Sequence, residues 1–109
     1  MEERNPHDAI DYIIRHAKKF AQAKANRIYL EEYRKSLKAI LMKKSMESAI
    51  GAQEREAYAH PEYVELLNGL KEAVEAEEKL RWDLIAAQAR VEVWRSQEAT
   101  SRMETRLVA

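Results

Sequence analysis

The sequence predicts an all-α protein, a long antiparallel helical hairpin that dimerises into an elongated four-helix bundle or coiled coil. Three observations carry this reading. The 109-residue chain holds two glycines and two prolines among many Ala, Glu, Lys, Arg and Leu residues, a composition that favours helix almost throughout. Ala59-His60-Pro61 divides it into two helix-forming runs. In the second run apolar residues recur at alternating three- and four-residue spacing, which is the pattern of a helix seam.

The first helix is expected over about 6–44, with a possible extension to 57. Asn5 can cap, Pro6 suits the first helical position, and Asp8 favours the positive helix end. Ile10, Ile14, Ala17, Ala21, Ala25 and Ile28 form one stripe, widened by Ile13 and Phe20. Its alanines imply close approach of another helix near residues 17 to 25. Ser45 can cap a new turn and Gly51 weakens the helix, but Met42, Met46 and Ile50 keep helical spacing. A helix with a bent or frayed distal part is therefore preferred to a linker.

A bend is expected at about 58–61, because Pro61 disfavours helical geometry at His60 and is well placed to start a helix. The second helix is expected over about 61–105. Its seam reads Leu66/Leu70, Ala73/Glu77, Leu80/Leu84, Ala87/Val91 and Trp94/Glu98. Leu70, Leu80, Leu84, Trp82 and Trp94 are the expected packing residues. Glu77 interrupts the seam: either it pairs with Lys24 or another base of the first helix and selects register, or it lies at the seam's edge in water.

At about 1.5 Å per residue the first helix would be about 60 Å long and the second longer. Two such helices in a single 109-residue domain cannot enclose a core as three layers can. A homodimer forming a four-helix arrangement is the expected solution, and a third helix of residues 45 to 57 folding back is the monomeric alternative.

Charge is balanced overall, nineteen basic against nineteen acidic residues, yet unevenly placed. Residues 1 to 44 hold eleven Lys and Arg against six acids, and residues 45 to 80 hold three against nine. Arg15, Lys18, Lys19, Arg27, Arg34, Lys35, Lys38, Lys43 and Lys44 decorate the first helix and are the candidate phosphate contacts for DNA or RNA. The alternative is a solvated helix neutralised by the acids of the second.

Other chemistry is sparse. Glu56 with His60 and His7 with Asp11 have only two ligands each at i,i+4 spacing, too few for a metal site. There is no cysteine, no Gly-rich phosphate loop and no paired Glu-x-x-His motif, so no catalytic residue, cofactor or small-molecule substrate is expected. No long apolar segment or leader is visible, and a cytoplasmic protein with no membrane association is expected.

The string Glu54-Arg55-Glu56-Ala57-Tyr58-Ala59-His60-Pro61-Glu62-Tyr63 and the later Val93-Trp94-Arg95-Ser96 resemble motifs of small uncharacterised helical proteins of bacteriophages and prophages. That resemblance spans residues 10 to 102 and implies a place near DNA-recombination functions, in the host cytoplasm. It makes Arg55, Tyr58, Tyr63 and Arg95 the candidate partner contacts. Two functional classes follow: a non-enzymatic oligomeric adaptor or accessory protein, and a nucleic-acid-binding accessory factor in recombination, replication or packaging.

Overall fold

The computed structural model describes residues 6–108; the expected Asn5 cap lies outside the described residues. The chain is an all-α helical hairpin of α1 (Pro6–Lys44), α2 (Ile50–Ala59) and α3 (Pro61–Val108). The first helix ends at Lys44, as the expected 6–44 has it, and the possible extension to 57 is not made. Ser45 ends it: its Oγ accepts the Glu47 N–H at 3.1 Å and donates to Glu56 at 2.5 Å, a local turn that competes with the helical ladder. Lys43 and Lys44 occupy the last turn of α1, where cations suit the negative helix end. Ala49 is extended, at φ −83° and ψ 135°, and α2 starts after it.

The bend is also sharper than the expected 58–61. Only His60 separates α2 from α3, and the following proline holds it extended at φ −65° and ψ 137°. Its Nδ1 accepts the Glu62 N–H at 3.1 Å, so the imidazole caps α3 as a serine or aspartate would. The second helix ends at Val108 instead of near 105.

The described residues form two compact units, residues 6–20 with 79–108, and Ala21–Glu78. In the second, Leu37 and Leu41 of α1, Ala57 of α2 and Tyr63 of α3 make one buried cluster, with Met42 and Leu66 packed against it. The third helix is thus present over 50–59, and Ala57 is its one fully buried residue. In the first, Ala9 of α1 and Ala87 of α3 are buried.

Along α3 the expected seam holds as far as Val91 and fails at its last pair: Leu66, Leu70, Leu80, Leu84 and Val91 are half-buried, Ala73, Glu77 and Ala87 buried, and Trp94 and Glu98 exposed. Along α1 the seam is one residue away from the stripe read from the sequence. Ala9, Ile13, His16, Phe20, Ala23, Arg27, Leu30, Leu37 and Leu41 are buried or half-buried, while Ile10, Ile14, Ala17, Ala21, Ala25 and Ile28 are exposed. One residue is about 100° of rotation on an α-helix, so the alanines of 17, 21 and 25 face away from the helix contact. Trp82 and Trp94, expected to pack, are 62% and 41% exposed.

Candidate functional site

The most constrained polar feature lies in the second unit, where Glu77 occupies a seam position of α3 and is only 3% exposed. Arg27, at a seam position of α1, meets it with Nε and Nη2, and turns Nη1 to both carboxylate oxygens of Glu31 at 3.0 Å. Hydrogen bonds to Glu77 and then Glu31 hold the guanidinium even more firmly protonated than a free arginine. Glu77 therefore does pair across the seam, with Arg27 in place of Lys24, which is exposed. The geometry fixes which turn of α1 lies beside which turn of α3.

Near the bend, Lys38 of α1 reaches α2. Its Nζ lies 3.4 Å from Glu54 and 4.8 Å from the centroid of the Tyr58 ring. The Tyr58 hydroxyl, and secondarily Glu54, raise the lysine's pKa. Tyr58 meets Tyr63 edge-on at 5.3 Å between centroids. Of the four candidate partner contacts, Arg55 and Tyr58 are exposed on α2, and Tyr63 is buried in the cluster, so it is a packing residue. Arg95 belongs to the other unit and bonds Glu92 at 3.1 Å.

The candidate nucleic-acid contacts also divide. Arg27 and Lys38 are held by Glu77, Glu31 and Glu54, and Lys35 lies 3.3 Å from Glu32. Arg15 donates from Nε to the Asp11 carbonyl at 3.3 Å. Lys18, Lys19, Arg34, Lys43 and Lys44 are exposed with no ion partner among the described residues. They fall into three separate groups along α1, so no continuous strip of free cations results.

The first unit has an open cleft of about 500 Å³ lined by Asp8, Asp11, Tyr12, Arg15, Asp83 and Arg90, with Ala9, Ala86 and Ala87 at its base. Tyr12 stacks on His16 at 3.8 Å, and the His16 Nδ1–H donates to the Tyr12 carbonyl at 2.9 Å. Lys79 bonds Asp83 at 2.9 Å and lowers its pKa, aided by the Tyr12 hydroxyl and the charge of His16; Lys79 is raised in return. Asp83 is thus held as an anion at the edge of the cleft. Among the described residues no group of three or more His, Asp or Glu side chains is placed to hold a metal ion, and no helix is long and apolar enough to cross a membrane.

The sequence reading missed the Arg27 clamp and the uncovered α1 stripe. Both follow from the same rotation of α1, and the signal that could have found it was the run of positions 9, 13, 16, 20, 23, 27 and 30 at three- and four-residue spacing. No protein-family model, curated protein or solved structure matches the chain.

Proposed function

We propose that this protein is a non-enzymatic, self-associating helical adaptor or accessory protein. The observation that carries the reading is the uncovered stripe of α1, on which Ile10, Ile14 and Ile28 are 41%, 69% and 42% exposed beside a seam that is already filled. Apolar residues at helical spacing outside the internal seam serve contact with another helix. Buried charge within the seam supports the same role, since it fixes the frame on which such a face is displayed. The resemblance of Glu54 to Tyr63 to phage and prophage motifs supports reading it as a small phage accessory protein acting in a host cytoplasm.

Size-exclusion chromatography with light scattering over a range of concentrations tests self-association. A mass of two chains is expected, and a single-chain mass at the highest concentration overturns it. Fluorescence anisotropy with single- and double-stranded DNA at low and moderate salt tests the competing class. Binding that weakens steeply with salt would replace the adaptor reading by nucleic-acid contact through Lys18, Lys19, Arg34, Lys43 and Lys44.

A further inference from the structure

The outer face of α3, turned away from the seam, changes character along the helix. Glu65, Glu72, Glu75 and Lys79 lie on it, as expected of a solvated face. Continuing the same three- and four-residue spacing, Trp82, Ala86, Ala89, Val93, Ser96, Thr100, Met103 and Leu107 follow without a charge, and all eight are exposed. Val93, Met103 and Leu107 show 56%, 67% and 82% of their surface. From Glu92 to Val108 every residue of α3 is exposed, yet isolated helical segments of this length are marginal in water. A helix that persists there with an uncharged heptad stripe is built to be covered.

We propose that the cover is the same stripe of a second copy, packed antiparallel around a two-fold axis. The proposal rests on the self-association reading above and assigns the two-chain contact to this stretch of α3 in place of the α1 stripe. In the register that sets Val93 against the partner's Met103, Ala89 meets the partner's Leu107 and Ser96 meets the partner's Thr100. Small residues then oppose large ones in the outer layers, which lets the helix axes approach closely.

The charges flanking the stripe select this register. In an antiparallel helix pair each flank meets the same flank of its partner, so Arg90 faces the partner's Glu104 and Glu92 faces the partner's Arg106. The two-fold axis repeats both, giving four attractive pairs. Arg90, Glu104 and Arg106 have no ion partner among the described residues. Glu92 bonds Arg95 at 3.1 Å, an exposed i,i+3 pair of the weak kind that can exchange. Sliding the copies by one heptad to lengthen the overlap sets Asp83 against the partner's Glu104 and loses the attraction. A parallel arrangement pairs none of the four.

Charge reversal tests this on the full chain. One variant carries Arg90→Glu with Glu92→Arg, and the other carries Glu104→Arg with Arg106→Glu. Each alone turns all four contacts repulsive, and the dimer dissociation constant should rise at least about tenfold. Mixed in equal amounts, the two variants make every contact attractive again, and the two-chain mass should return by light scattering. Far-UV circular dichroism checks that helicity is kept, and Thr100→Arg, which buries a charge at the centre of the stripe, should give the same monomer. If the parent is a dimer and the variants dimerise as well as it does, or if mixing restores nothing, this face is wrong while self-association stands. A monomeric parent overturns both.

Discussion

Arg27 shows how much one residue settles in this chain. Its guanidinium is shared between Glu31 on its own helix and Glu77 across the seam, and Glu77 is buried. A carboxylate left in that position without its cation would be strongly destabilising, whereas an apolar pair of similar volume there could be neutral. A double-mutant cycle is therefore informative. Arg27→Met and Glu77→Leu should each lower the thermal midpoint, and the double variant should recover most of the loss; additive losses in thermal unfolding would show that the pair is not coupled. From the sequence, Glu77 stood out as the misfit in a leucine seam and its need for a basic partner was legible. Which base it takes was not, because Lys24 and Arg27 lie less than one turn apart and only the rotation of α1 decides between them.

That rotation belongs to the scale of the element. The seam of α3 was legible because its leucines, alanines and valine hold one heptad phase from Leu66 to Val91. The seam of α1 was not, because it is chemically mixed: His16, Arg27 and two alanines share it with Ile13, Phe20 and Leu30, while the neighbouring stripe carries Ile10, Ile14 and Ile28. Hydrophobicity alone picks the wrong face when a helix contact is built partly from ion pairs and small residues. The end of α1 near 44 was legible, but what stops it was not, since Ser45 closes the helix through contacts to Glu47 and Glu56 that no propensity scale contains. Propensity does make one clean prediction in α3. Gly69 sits in its interior with an ordinary backbone, and an added Cβ would meet nothing within 4 Å. Gly69→Ala should raise stability by about 0.5–1 kcal/mol through helix propensity alone, measured by urea unfolding; a loss would point to a contact on that side of the helix.

At the scale of the whole molecule, the sequence made the all-α hairpin and the break before Pro61 legible, because each depends on local chemistry and periodicity. Where the free surfaces lie was not legible, since that depends on which of two adjacent faces each helix turns inward. The basic residues illustrate the point: counted along the chain they form a strip, but Arg27 and Lys38 are engaged by carboxylates of other helices, which compete with phosphate for them.

The two connections differ in what they let the chain do. Between α2 and α3 stands a single extended residue, His60, which ties the rotational phase of α3 to the Tyr58–Tyr63 contact and to the seating of Ala57. A residue inserted there must bulge out or turn the following helix by about 100°, and it should broaden the thermal transition and lower its midpoint. Between α1 and α2 five residues intervene, and Met46 is 97% exposed. One or two alanines inserted after Met46 should leave the melt nearly unchanged. The molecule thus has one joint that keeps time and one that gives slack, and a tag, a label or an evolving insertion has a place to enter only at the second.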